Sequence, residues 1–149
     1  MKINWIIKPF DELSTLELYT IMQLRSAVFC VEQNCAYQDA DGKDLKCFHL
    51  SGIDNDGELM TYSRIVPPGI SFEEVSIGRV ITSQKARGTG AGKALMLKSI
   101  EVIESKYGKV PIRIGAQCYL IKFYSSFGFE ISGQEYLEDN IPHIEMLRK

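Results

Sequence analysis

The chain has no run of about eighteen apolar residues, so no segment is suited to cross a bilayer as a helix. It also lacks a basic excess. Seventeen Lys and Arg stand against nineteen Asp and Glu, a formal net charge of −2, and there is no polybasic stretch. Long-range attraction to nucleic acid or to an anionic lipid surface is therefore excluded as a binding mode, and any anion must be held by a local site. Cysteine is scarce and unpatterned: Cys30, Cys35, Cys47 and Cys118 form no CxxC pair. Cys30, Cys35, Cys47 and His49 match no usual zinc-ligand spacing, which leaves the thiols as small buried hydrophobes. Residues 1–9 are too short and too interrupted to read as a secretory signal, and the expectation is a cytoplasmic protein with reduced thiols.

What is present is an ordinary globular composition, 45% hydrophobic and 24% charged over 149 residues. One domain of this length buries about 68–70% of its unfolded surface and needs no disulfide or metal staple. Residues 3–8 read as a strand ended by Pro9. Ser14-Thr15-Leu16-Glu17 is a capping-box signature, opening a helix with Leu18, Ile21, Arg25 and Val28 on one stripe and fading near Phe29. Residues 30–46, with Asp39, Asp41, Gly42 and Asp44, read as a solvated turn-rich loop; later calcium-ligand positions are missing. Strands follow at 47–53 and 58–66 around an Asp54-Asn55-Asp56-Gly57 turn, and again at 74–82. The strongest helix spans 91–107, stopped by Gly108. A strand at 110–116, a short helix at 120–127 and strands at 129–136 and 143–147 complete a mixed sheet with a βαβ-like crossover.

The most informative stretch is Val80-Ile81-Thr82-Ser83-Gln84-Lys85-Ala86-Arg87-Gly88-Thr89-Gly90-Ala91-Gly92-Lys93. A strand ends, three glycines alternate, and a helix begins. Glycine bares main-chain amides, and the first helical turn leaves its N–H groups unpaired at the positive end of the dipole. That combination suits a pyrophosphate. The order GxGxG is neither a Walker A loop nor a dinucleotide fingerprint.

On these residues the chain resembles the GNAT acetyltransferases. Arg87-x-x-Gly90-x-Gly92 matches their RxxGxG motif, and Tyr124-x-x-x-Gly128-Phe129 is similar to their later YxxxGF motif. Leu24-Arg25-x-x-Val28-Phe29-x-Val31-Glu32-Gln33, the Tyr37-Gln38-Asp39 loop and Ile141-Pro142-His143 look like the ElaA-type branch. The resemblance implies a single α+β domain over residues 1–149, with a mixed, mostly antiparallel central sheet flanked by helices. It implies acetyl-CoA as cosubstrate. Val80, Ile81 and Thr82 would face the pantetheine arm, the amides of Arg87, Gly88, Thr89, Gly90, Ala91, Gly92 and Lys93 would hold the pyrophosphate, and Gln117 stands where many relatives have Asn.

The implied reaction is direct transfer of acetyl to an amine, on a small molecule or a peptide. It needs a polarised carbonyl, a neutral amine and a protonated leaving thiolate. The resemblance gives the acid role to Tyr124 and points to the Val80 N–H for the carbonyl. The base stays open among Glu32, His49, Glu74 and His143. Glu32 is equally readable as a partner of Arg25, and the other three as ordinary strand residues. Arg64 and Arg79 are readable as acceptor-cleft groups, Arg79 able to hold a carboxylate. A longer acyl donor and a non-catalytic acyl-CoA-binding module are the alternatives, and the oligomeric state is open, a homodimer included. No metal is expected.

Overall fold

The structure, a computed structural model, describes residues 2–149. Strand β1 (Asn4–Pro9) leads to helix α1 (Thr15–Arg25). The capping box closes as expected: the Glu17 N–H donates to Ser14 Oγ at 3.0 Å, and the Ser14 N–H donates to Glu17 Oε1 at 2.8 Å. The helix does not fade at Phe29 but runs on as a π-helical stretch, Ser26–Glu32. Strands β2 (Phe48–Ile53), β3 (Leu59–Val66) and β4 (Ser76–Thr82) follow, then α2 (Ala91–Tyr107), β5 (Ile112–Gln117) and the short α3 (Ile121–Ser125). The expected strand at 129–136 is broken into β6 (Glu130–Ile131) and β7 (Tyr136–Glu138) before β8 (Ile141–Arg148). Asp139 and Asn140, both at positive φ, make the two-residue hairpin turn that joins β7 to β8.

Two antiparallel sheets result, β1-β2-β3-β4 and β5-β8-β6, with β7 also paired to β8. They meet at one parallel bridge, Val75 to Ile112, where the Arg113 N–H donates to the Val75 carbonyl at 3.1 Å. Beyond that bridge β4 and β5 share no ladder, so a wedge opens between them. This is the mixed, mostly antiparallel α+β architecture expected from the sequence. Strand β3 is buried from Met60 to Val66 because both its faces are covered. On one face Leu50, Ile65, Leu95, Met96 and Ile103 join the main core under α2; on the other Tyr62 and Ile81 pack against Ile21 and Val28 of the first helical segment.

The segment expected to be a solvated loop is instead pinned to the sheet. Arg25, 0% exposed, contacts Asp39 at 2.8 Å and Asp44 at 2.7 Å. Asp44 also meets Arg64 at 2.9 Å, Arg64 meets Asp41 at 2.6 Å, and Arg79 meets Asp41 at 3.5 Å and Asp39 at 2.7 Å. Three arginines and three aspartates thus close a ring of ion pairs. Arg25 is not the partner of Glu32, and Arg64 and Arg79 are committed to this ring rather than free for a substrate carboxylate.

Candidate active site

A cleft of 1180 Å³ occupies the wedge between β4 and β5. Its shape begins with a bulge in β4. Tyr62 pairs with Ile81 and Arg64 with Gly78, so two steps on β3 face three on β4, and the Arg79–Val80 main chain drops out of the ladder. Arg79 takes φ +48°, a conformation costly for a residue with a Cβ. The Asp39 ion pair holds it there, with Phe29 and Tyr37 rings 5.8 and 5.7 Å from the guanidinium carbon. The bulge turns Val80 toward the cleft, beside Ile81 and Thr82, which line it as well.

At the wedge's end, Gly90 is the N-cap of α2 at φ +87°, and no side chain caps the helix. The first-turn N–H groups are therefore left for a ligand. Arg87 and Gly92 line the cleft, and Gly88, Thr89 and Gly90 form the turn between them. The methyl of Ala91 is buried with Met60 and Ala86, which leaves only its main chain available to a ligand; Lys93 follows in the first turn. This uncapped, dipole-positive end beside a long cleft fits the diphosphate and arm of an acyl-CoA. A Cβ on Gly90 would meet open space, so a substitution acts through φ rather than by occlusion. Gly90→Val is expected to strain or reshape the turn by about 1–2 kcal/mol and weaken coenzyme A binding roughly ten-fold, measured by calorimetry.

Tyr124 and Gln117 both line the cleft. The Tyr124 ring is 7% exposed, edge-on to Phe123 and Phe129, and its hydroxyl makes no hydrogen bond among the described residues. Burial, with a smaller contribution from nearby Tyr119, pushes its phenol above the ordinary range, so the proton stays on through neutral pH.

The four base candidates separate cleanly. His49 lies outside the cleft, 1% exposed. Its Nε2 donates to the Asp44 carbonyl at 2.9 Å and its Nδ1 accepts from Tyr62 at 2.7 Å, and burial lowers its basicity. It is a structural residue. Glu74 is held by Arg113 at 3.0 and 3.1 Å, also outside the cleft, and those hydrogen bonds keep its carboxyl below the usual range. Glu32 does line the cleft, but Arg87 clasps it at 2.6 and 3.1 Å. His143 lines the cleft too, paired across β8–β5 with Gln117, with its Nδ1 on the Ile141 carbonyl and its Nε2 3.4 Å from Glu138 Oε2. Among those residues no group of His, Cys, Asp or Glu is arranged to hold a metal ion, and no helix is long and apolar enough to cross a membrane.

Residues 31–149 match the acetyltransferase (GNAT) domain. The chain belongs to the GNAT acetyltransferase family. Within that family it is 46% identical to protein ElaA of Escherichia coli, over 99% of this chain and 97% of that protein. The crystal structure of Escherichia coli ElaA superposes with a TM-score of 0.91 at 45% identity, covering 99% of this chain and 100% of that one. An acyl-CoA N-acyltransferase from Pseudomonas aeruginosa superposes at 0.93 with 39% identity and the same coverage. The chain is thus a GNAT-fold acetyltransferase of the ElaA-type branch, built to act on an acyl-CoA donor.

Proposed function

We propose that the protein is an N-acetyltransferase that moves acetyl directly from acetyl-CoA to a primary amine, on a small molecule or a peptide, in the cytoplasm. The observation that carries this reading is the conjunction of a bulged β4, an uncapped α2 N-terminus and an unpartnered Tyr124 hydroxyl around one cleft. Acetyl-CoA supplies the acetyl group: a C–N bond forms to the amine as the C–S bond breaks. The chain's residues then have separable tasks. The Val80 N–H, freed by the bulge, polarises the thioester oxygen. His143 Nε2 takes the proton that the attacking nitrogen loses, and the Tyr124 hydroxyl gives its proton to the departing sulfur. Both groups reset through solvent. The amides of Gly90 to Lys93 hold the diphosphate, and Gln117 closes the far side of the wedge. Neither charge nor any patch read from the sequence favours nucleic acid or a membrane as partner.

Thiol release from acetyl-CoA, followed with and without a panel of amines, tests this. Amine-dependent release supports transfer, whereas tight acetyl-CoA binding without release under any amine would leave only a binding module. A preference for longer acyl donors would displace acetyl as the natural group.

A further inference from the structure

The hydrogen-bond arithmetic around His143 specifies what the acceptor end of the cleft takes. His143 is 7% exposed and stacks on Tyr136, ring centroids 5.8 Å apart. Its Nδ1 lies 2.7 Å from the Ile141 carbonyl, which can only accept, so Nδ1 carries a hydrogen. In the neutral ring Nε2 is then a bare acceptor. Glu138 Oε2, also an acceptor, stands 3.4 Å away. A protonated ring would pair with it directly; with the ring neutral, the two face each other as acceptors and a single ligand donor group can satisfy both.

Resting on the transferase reading, we infer that this pair is the seat of the acceptor's ammonium group. A primary ammonium has three N–H donors and can give one to Glu138 and one to His143. The same hydrogen bond delivers the proton to the base and leaves the nitrogen lone pair for attack. Tyr136 walls the seat, and its hydroxyl reaches over Gly115 of β5, where an added Cβ would lie 2.7 Å from it.

The charges nearby narrow the class of amine. Asp139, next to Glu138 in the β7–β8 turn, lines the same cleft, as does Glu145, two residues past His143 on β8 and itself paired with Arg113 at 3.2 Å. The arginines that share it are committed: Arg64 and Arg79 to the aspartate ring, Arg87 to Glu32. Lys43 lines it as well, with its ammonium bonded to Ser71 in the β3–β4 connection. An amine-bearing carbon that also carries a carboxylate would set that anion against Glu138 and Asp139. The fitting acceptor is an aliphatic primary amine with no carboxylate on that carbon, such as a diamine or a lysine side chain, rather than a free α-amino acid.

The test compares 1,4-diaminobutane, Nα-acetyl-lysine amide and glycine as acceptors at saturating acetyl-CoA, for the native protein and for Glu138→Gln. Glu138 is 58% exposed, so the substitution should leave the fold intact, checked by Tm. Diaminobutane or the lysine derivative should exceed glycine in kcat/KM by at least about ten-fold. Glu138→Gln should raise the amine KM by about ten- to a hundred-fold, the range for losing a hydrogen bond to a charged group, with acetyl-CoA Kd unchanged. An unchanged amine KM, or glycine used as well as the diamine, would overturn the seat while leaving the transferase intact. No thiol release with any amine would remove both.

Discussion

Arg25→Met is expected to cost about 3–5 kcal/mol of stability, the loss typical when one member of a buried ion-pair network is removed. The side chain is fully buried, and its loss opens the ring and leaves Asp39 with Arg79 alone and Asp44 with Arg64 alone. Thermal unfolding should report a Tm lower by roughly 10 °C. The contrast is Lys8→Met, which breaks a half-exposed pair with Glu17 and should change stability by less than about 1 kcal/mol. Equal effects from the two would mean that the ring carries no weight.

The same ring sets the acid limit of the fold. Burial alone would raise the Asp41 and Asp44 carboxyls, but hydrogen bonds and charge from Arg64 and Arg25 outweigh it and hold both below the ordinary range. A carboxyl depressed in the folded state stabilises it fully above the unfolded pKa of about 3.9 and loses that contribution as pH falls toward the folded value. Stability should therefore be flat with respect to these groups between pH 5 and 7, on the scale of that pKa, and drop steeply below about pH 4. In Arg25→Met the drop should be shallower, because one source of the depression is gone.

Tyr124→Phe should lower kcat by about 10²- to 10⁴-fold while acetyl-CoA affinity stays as it is. The ring is retained, so its edge contacts with Phe123 and Phe129 persist and Tm should shift by no more than about 0.5 kcal/mol equivalent. What is lost is one proton at the sulfur. Because burial raises the phenol above its ordinary value, the native enzyme should show no alkaline limb from Tyr124 below about pH 10. An unchanged kcat in Tyr124→Phe, or a limb near neutrality that vanishes in that variant, would reject the acid role.

Much of the fold was legible because its signals are local. The capping box at Ser14, the Asp54–Gly57 turn and the glycine stop at Gly108 each act over three or four residues, and each appears where the pattern put it. The glycine turn at the end of the cleft was legible for the same reason: Arg87 to Gly92 is one contiguous stretch before a helix. The opposite end of the cleft was not. His49 and His143 look alike in sequence, each a lone histidine in a strand-like run. Only tertiary pairing sends one into the core against Tyr62 and the other into the cleft beside Glu138. Glu138 itself carries no signal, being one acid of several near a turn. The bulge at Arg79 was equally silent, since nothing in a strand-like run announces which residue will leave the ladder.

By itself, the amino-acid order decided that this chain makes a strand–glycine turn–helix able to hold a diphosphate, and that a tyrosine follows at the spacing the GNAT fold uses. Those features need only neighbouring residues, whose conformational preferences and exposed amides are short-range properties. Which carboxylates are committed to arginines, which imidazole faces the cleft, and whether the 39–44 segment is solvated or clamped were decided only on folding. Charges 14 to 40 residues apart in the chain, as Arg25 and Arg79 are from Asp39, pair according to distance and burial in three dimensions, and sequence separation carries neither quantity.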